Sequence, residues 1–279
     1  MTVLPPWHLH ADVLLLLGGI WSGSLVLVSA RARSHPGEDQ GWPRRARLFS
    51  LGMLVLFLAS TWPIHDLAER YLYSAHMFQH LLYTLVAPPL LIVGTPAWIL
   101  RKVFATPVLG AVAAFLVRPL VALVLFNGVL LLTHWPEVVA ASVASEPTHF
   151  ALHLLIVGSG IAMWWPVVSP LPERPALHAP GQMLYLFFQS LAPTIPASFL
   201  TFGHTLLYPV YGTFPRIWGI APLEDQLLAG LEMKLLGGII LWTVIGVIFF
   251  RWHARESRDG WDEIAMGRLQ RELRVGAGE

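Results

Sequence analysis

Two pairs of histidines, each four residues apart, are the residues whose spacing most clearly suggests chemistry. His76 and His80 lie in the segment SAHMFQHLL, and His149 and His153 lie in PTHFALHLL. Side chains at positions i and i+4 share one face of a helix, with their Cβ atoms about 5–6 Å apart, so each pair can hold a metal ion. One such pair alone is equally well explained by hydrogen bonds near lipid headgroups. Two pairs in similar apolar segments favour a metal or cofactor site, because polar residues are costly to bury in a membrane.

The composition limits which metal ion such a site can bind. The chain of 279 residues contains no cysteine, so thiolate ligands and disulfides are excluded and histidine, methionine and carboxylates remain. Imidazole suits zinc, copper, iron and nickel, and the thioether of Met77 beside one histidine pair favours copper. Copper is therefore the predicted cofactor, and zinc and haem stay open as alternatives.

The histidine pairs lie in a strongly apolar chain. Hydrophobic residues make up 55% of the sequence and charged residues 13%, whereas soluble domains have about 25% charged residues. The net charge of +1 predicts no nucleic-acid partner. A helix needs about 20 apolar residues to cross a bilayer. The sequence predicts an all-α integral membrane protein with seven transmembrane helices, near residues 12–31, 47–64, 74–99, 119–135, 148–168, 182–203 and 224–250.

Prolines modify two of these predicted spans. Residues 107–135 form an apolar run that is too long for one span. The VRP triplet at 117–119 predicts a break in this run, after an interfacial helix over 107–117. The alternative is one long, tilted and kinked helix. In the third span, the APP triplet at 87–89 predicts a bend below the histidine pair.

Basic residues predict the orientation, because they concentrate in cytoplasmic connections. With the N-terminus outside, the outer connections contain only Arg70 and Arg216. Fifteen basic residues then lie on the cytoplasmic side: Arg31, Arg33, Arg44, Arg45, Arg47, Arg101, Lys102, Arg118, Arg174, Arg251, Arg255, Arg258, Arg268, Arg271 and Arg274. The predicted protein has its N-terminus outside and its C-terminus in the cytoplasm, without a cleaved signal peptide. It consists of a seven-helix domain (1–253) and a cytoplasmic amphipathic tail (254–279) with Trp261, Ile264 and Leu269 on one stripe.

In this orientation the histidines sort by side. Nine of the twelve fall near the outer face: His8, His10, His65, His76, His80, His134, His149, His153 and His204. We predict that the two pairs converge on one metal site and that His134 is an additional ligand. Further ligands, or groups that orient the ligands, are predicted at Met77, Asp225, Glu232, Met233 and His65. Asp225, at the start of the last span, is the favoured carboxylate for orienting an imidazole or binding the metal directly.

Four segments occur in a characteristic order: HMFQHLLYTLVAPPLLIVGTP, THWP, HFALHLLIVGSGIAMWWPVVSP and APLEDQLLAGLEM. In these segments the chain resembles the multi-spanning CtaG-type cytochrome c oxidase assembly proteins of bacteria. The resemblance implies a multi-pass protein of the bacterial inner membrane, surrounded by lipid, that acts as a copper chaperone rather than as an enzyme. It also implies a cytochrome c oxidase subunit and an extracytoplasmic copper chaperone as partners. Glu232 and Lys234 depart from the apolar or aromatic residues expected at their positions.

Two other functions fit parts of the pattern. Haem needs one histidine from each of two facing helices, so the two pairs also suit a membrane cytochrome. A lysine in the last span, Lys234, suggests a retinal-type seven-helix protein. The third predicted span lacks the carboxylate counter-ion that this reading requires, so it is disfavoured.

Overall fold

A computed structural model describes residues 4–35 and 41–276 of the chain, and these residues form helices and connections without a β-strand. Apolar runs punctuated by proline at the first helical position explain many of the helix starts. The helices are α1 (Ala11–Ser34), α2 (Trp42–Ala59), α3 (Ile64–Arg70), α4 (Tyr73–Leu81), α5 (Ala87–Gly94), α6 (Ala97–Ala105), α7 (Pro107–Leu116), α8 (Pro119–Thr133), α9 (Pro136–Ala144), α10 (Glu146–Val168), α11 (Ala179–Leu191), α12 (Thr194–Phe202), α13 (Pro222–Leu231) and α14 (Gly237–Gly276).

The all-helical membrane architecture is confirmed, but the exact number of spans is not fixed at seven. In the described residues, six helical segments are long and apolar enough to cross a membrane. Two bent pairs raise the number to as many as eight: α6 with α7, bent by 110°, and α8 with α9, bent by 69°. The predicted break before the fourth span is present, because α7 ends at Leu116 and α8 begins at Pro119. The orientation in the membrane stays a prediction.

The third predicted span is one helical path with a π-helical turn in its middle. The π turn, Leu82–Val86, links α4 to α5 directly before Pro88 and Pro89. Proline has no N–H, so the carbonyl four residues before Pro88, that of Thr84, loses its helical donor. Trp164 of α10 supplies the missing donor, with its indole N–H 2.9 Å from the Thr84 oxygen. The helix thus passes the proline pair because a neighbouring helix satisfies its backbone; the predicted bend angle itself stays a prediction.

Close helix contacts bring the functional segments together. On α10, Gly160 faces α5 and the π turn so closely that a Cβ would lie 3.1 Å from the ring of Pro88. On α13, a Cβ at Gly230 would lie 2.5 Å from the hydroxyl oxygen of Thr201 on α12. Glycine at these positions allows the helices to approach at backbone distance. Helix α10 thereby packs on α5 and α8, and α13 packs on α4 and α12.

These contacts gather the starts of α4, α10 and α13 and the end of α8 at one end of the bundle. We call it the histidine end, because it contains His76, His80, His134, His149 and His153. The opposite part of the core is apolar and aromatic, with Trp164, Trp165 and Leu186 buried together.

The predicted cytoplasmic tail continues the last helix. Helix α14 runs unbroken to Gly276, beyond the last predicted span. The side chains of Trp261, Ile264 and Leu269 lie outside the described part of the structure, so the amphipathic stripe stays a prediction.

Candidate metal centre

Three imidazoles from two helices meet at the histidine end. His76 and His80 from α4 and His153 from α10 each offer one ring nitrogen, and these nitrogens all lie within 4.8 Å of one another. We call these three residues the central cluster. The ring centroids of His76 and His80 are 4.2 Å apart, and that of His153 lies 5.9 Å from the first and 5.6 Å from the second. Since a metal–nitrogen bond is about 2 Å, small side-chain rotations suffice to bring the three rings around one ion.

The imidazoles of the central cluster have ring nitrogens that lack hydrogen-bond partners. The Nδ1 atom of His76 and the Nε2 atoms of His80 and His153 are buried without a hydrogen-bond partner among the described residues. Buried polar groups are nearly always hydrogen bonded, so three such atoms in one place need an explanation. A cavity of about 20 Å³ lies between the rings, lined also by Tyr211 and Ser142. This volume suits one water molecule or one ion.

The fourth predicted ligand, His149, joins the cluster but has partners of its own. Its ring lies 4.0 Å from that of His153 and 5.9 Å from that of His76. Its Nδ1 atom lies 2.9 Å from the hydroxyl of Ser142. Its Nε2 atom lies 2.7 Å from a carboxylate oxygen of Glu69, an ion-pair distance without the angles of a hydrogen bond, so both atoms lack a hydrogen-bond partner among the described residues. The ligand atoms of Glu69, His149 and His153 also lie within 4.8 Å of one another. His153 therefore belongs to two overlapping sets of potential metal ligands.

The predicted additional ligand, His134, lies beside the cluster rather than in it. Its ring centroid is 6.3 Å from that of His80. Its Nδ1 atom is 2.7 Å from the carbonyl oxygen of Leu130, so Nδ1 carries the proton and donates it. The unprotonated Nε2 atom then faces the sulfur of Met77 at 3.4 Å. An imidazole nitrogen and a thioether sulfur at this distance are a pair of atoms suited to binding Cu(I).

The connection before α13 covers this pair with tyrosines. The hydroxyl of Tyr208 donates to the carbonyl oxygen of His134 at 2.7 Å. Burial raises the pKa of Tyr208 to about 12 and raises the pKa of Tyr211 well above its usual value. Both side chains therefore stay neutral, and Tyr208 remains a hydrogen-bond donor to the backbone that carries His134.

A larger cavity of about 250 Å³ begins at His80 and His134 and extends along the bundle. Its lining includes Met77 and Met233, whose thioethers continue the set of soft donors, and is otherwise mostly apolar. Lys234, the lysine that suggested a retinal-type protein, also lines it and donates to the hydroxyl of Thr194 at 2.9 Å.

The structure gives Asp225 contacts other than the predicted ones. Its carboxylate accepts hydrogen bonds from the backbone N–H groups of Tyr73 and Ser74, at 2.8 and 3.0 Å, and from the Ser74 hydroxyl at 2.6 Å. These N–H groups belong to the first turn of α4, which lacks helical acceptors. Asp225 thus caps the helix that carries His76 and His80, and it does not hydrogen bond to an imidazole in the described structure. Glu69, rather than Asp225, is the carboxylate that lies next to an imidazole of the pairs, 2.7 Å from Nε2 of His149, and a role of Asp225 toward the metal stays a prediction.

The two remaining predicted residues have different surroundings. His65 lies at the edge of the cluster, where its Nδ1 atom accepts from the side-chain amide of Gln79 at 3.1 Å and its ring is 6.1 Å from that of His149. Glu232 belongs to a second π-helical turn, Glu232–Leu236, and its Oε2 atom is buried without a partner among the described residues. Neither residue belongs to the three-nitrogen set of the central cluster.

The sequence analysis did not identify three residues of this region as site residues, namely two acids and one histidine. Glu69 and Asp66 follow the second predicted span, and His10 precedes the first; the His10 Nε2 and Asp66 Oδ2 atoms lie 2.9 Å apart. The available signal was their position at the same predicted membrane face as the histidine pairs. Their position in the sequence could not show which of these side chains lie close to the histidines.

The family comparison agrees with the motif order. A family model described as cytochrome c oxidase caa3 assembly factor matches residues 25–255. This match covers most of the chain, so the chain belongs to the cytochrome c oxidase caa3 assembly factor family. No curated protein and no solved structure matches the chain.

Proposed function

We propose that this caa3 assembly factor binds a copper ion in the central cluster as cargo and passes it to a cytochrome c oxidase. The observation that carries the proposal is the convergence of His76, His80 and His153, each with a buried ring nitrogen that lacks a partner among the described residues. A buried polar atom without a partner costs about 1–3 kcal/mol. An ion that accepts the three lone pairs removes this cost, so the donor set fits a metal ion.

Copper is favoured over zinc by the neighbouring donors. Met77 and His134 face each other next to the cluster, and Met233 lies further along the same cavity. Thioethers prefer Cu(I), whereas zinc in proteins is bound by cysteine, histidine and carboxylates. The Glu69 carboxylate lies 2.7 Å from Nε2 of His149, close enough to orient the fourth imidazole or to provide a carboxylate for the same ion.

The membrane setting follows from the distribution of basic residues. In the proposed orientation the histidine end faces outward from the inner membrane of a bacterium, with the N-terminus outside. The ligands are then buried near the outer surface, where an extracytoplasmic copper chaperone can deliver the ion and an oxidase subunit can receive it. This role is that of a chaperone and involves no catalysis.

Haem is the less favoured ligand, because it needs one histidine from each of two facing helices. The cavity that His76 and His80 share with His153 of α10 measures only about 20 Å³, and the cavity of about 250 Å³ is lined by His80 but by no histidine of α10. An absorption spectrum of the purified protein tests this point directly, because haem produces a Soret band and copper alone does not.

Metal analysis tests the proposal. The full chain, purified with an affinity tag free of histidine, is loaded with Cu(I) under reducing conditions and its bound copper is measured. We expect His76→Ala with His153→Ala to reduce the affinity for copper at least 100-fold. His178→Ala, on the opposite predicted side, is the control and should retain wild-type binding.

Oxidase assembly gives the second readout. In cells that lack the factor, the double variant should yield oxidase with a lowered ratio of copper to haem, and the control should restore it. Wild-type copper affinity in the double variant would overturn the metal site. Normal oxidase copper in cells with the double variant would overturn the hand-over.

A further inference from the structure

We infer a second metal-binding site at the histidine end, formed by His8 and His10 from the N-terminal segment and Asp66 from α3. Each of the three residues offers one ligand atom, and these atoms all lie within 4.8 Å of one another. His8 and His10 precede the part of the chain that matches the family model, which begins at residue 25. The two imidazoles of the site therefore lie outside the matched part of the chain, whereas Asp66 lies inside it.

Specific contacts hold the N-terminal segment in place. The indole N–H of Trp62 donates to the carbonyl oxygen of Pro5 at 3.0 Å, and Pro5 is buried. The Nε2 atom of His10 lies 2.9 Å from the Oδ2 atom of Asp66. These contacts fix residues 5–10 over the start of α3, so the two imidazoles are presented to the carboxylate by a defined backbone path.

The burial pattern is that of a ligand site open on one side. Asp66 is 2% exposed, although a carboxylate is costly to bury unless it is paired or binds a metal. His10 is half-buried beside it, and His8 is exposed. An ion can therefore enter the site from the exposed side, where His8 lies, and bind to the buried carboxylate of Asp66.

The donor set indicates the class of ion. Two imidazoles and one carboxylate bind divalent transition-metal ions of intermediate softness, and copper in its divalent form is the member of this class that binds such nitrogen and oxygen ligands most tightly. No thioether is part of the set, in contrast to the Met77–His134 pair. We therefore assign Cu(II) to the outer site.

The outer site is joined to the central cluster by His65. The ring centroid of His65 lies 4.8 Å from that of His10 and 6.1 Å from that of His149. His149 in turn is 4.0 Å from His153. These steps are short enough for the divalent ion to pass to the imidazoles of the central cluster by exchange of ligands, without a change of oxidation state. This part of the inference, that the outer site is the entry point, rests on the proposed function; the binding of an ion at the outer site does not.

A purely structural role for the His10–Asp66 contact is the competing explanation. Glutamine in place of histidine retains a donor that can reach Asp66 but has little affinity for metal ions. His10→Gln therefore separates the two roles, since it should preserve the position of the segment and abolish metal binding at the outer site.

Copper titration of the full-length chain in lipid nanodiscs tests the inference. The starting variant carries His76→Leu and His153→Leu, so that the central cluster cannot contribute. We expect it to bind one equivalent of Cu(II) with an electron paramagnetic resonance spectrum that shows nitrogen coupling. Adding His8→Ala and His10→Ala, or His10→Gln alone, should remove this equivalent, and Asp66→Asn should weaken it at least tenfold. His204→Ala, exposed and outside both sites, is the matched control and should change nothing.

The outcomes are distinguishable. Equal Cu(II) binding with and without His8 and His10 would overturn the outer site. Loss of binding in His8→Ala with His10→Ala but not in His10→Gln would also overturn it, because the imidazole of His10 would then not be a ligand. Failure of the proposed function has another signature, namely wild-type Cu(I) affinity in the chain without His76 and His153.

Discussion

Two groups of buried polar side chains lie at the histidine end, and they differ in how well they are satisfied. The carboxylate of Asp225 accepts three hydrogen bonds from the first turn of α4. Within the next two turns of that helix, His76 and His80 each have a buried ring nitrogen without a partner in the described structure. The first group is satisfied by hydrogen bonds within the protein, whereas the second has ring nitrogens that lack partners among the described residues.

The difference separates structural polar groups from functional ones. Burial of the polar atoms does not distinguish them, because the Asp225 side chain and the unpartnered ring nitrogens of His76 and His80 are all buried. Unsatisfied lone pairs that converge are the distinguishing feature, because each represents a free-energy cost that a ligand can remove. Asp225 should therefore affect stability, and the central cluster should affect binding.

The largest expected effect comes from Asp225→Asn. The new amide places an NH2 group against the N–H donors of Tyr73 and Ser74, so at least one charged hydrogen bond is lost and one donor faces another. Hydrogen bonds to charged groups contribute about 1.5–3 kcal/mol each, and we expect the free energy of unfolding to fall by about 3 kcal/mol. Thermal unfolding of the purified protein in lipid measures this change.

The control for this variant is Glu224→Gln. Glu224 is exposed and accepts a single hydrogen bond, from the N–H of Ala221 at 2.9 Å. Its replacement should change the unfolding free energy by less than about 0.5 kcal/mol. Wild-type stability together with lost copper in Asp225→Asn would show that the carboxylate serves the ion and not the helix.

An intermediate effect is expected for Glu69→Gln. The amide keeps the shape of the side chain but weakens the contact to Nε2 of His149, which is 2.7 Å in the protein. Groups that orient metal ligands typically change metal affinity by about 10–100-fold. We expect a loss of about tenfold in copper affinity with little change in stability, measured by competition with a copper chelator. Unaltered affinity would remove Glu69 and His149 from the site.

The smallest effect, with the opposite sign, is expected for the metal-free protein with His76→Leu and His153→Leu. Leucine fills similar volume and removes two buried nitrogens that lack partners among the described residues. The free energy of unfolding of the metal-free variant should therefore equal that of metal-free wild type or exceed it by about 1 kcal/mol, and its unfolding temperature should be the same or higher. Added copper should stabilise wild type and leave the variant unchanged. A less stable metal-free variant would mean that the imidazoles are structural.

Helical periodicity was enough to predict the convergence of the histidines. The spacing of His76 and His80, and of His149 and His153, places each pair on one helix face. Both segments begin a predicted span at the same predicted membrane face, so their pairing required only that the two helices be neighbours. The bundle brings these helices together through Gly160.

The long-range contacts of the buried carboxylates could not be predicted from helical periodicity. Asp225 and Ser74 are 151 residues apart, and nothing in local sequence shows which buried donors a carboxylate will meet. The contacts of Glu69 and Asp66 depend on the short helix α3, whose direction is set by tertiary packing. The bends at 105–107 and 133–136 leave the number of spans open, because hydropathy measures length and not direction.

The two π-helical turns have a consequence for how this protein can tolerate insertions and deletions. A π turn contains one residue more than the α-helical turn it replaces, and one residue corresponds to about 100° of rotation. Deleting one residue within 82–86 would restore a regular helix but would rotate His76 and His80 relative to Pro88 and its partner Trp164. The direction in which His76 and His80 project is thus set independently of the direction of the proline segment. The length of the π turn is therefore as specific a requirement for the cluster as the identity of its histidines.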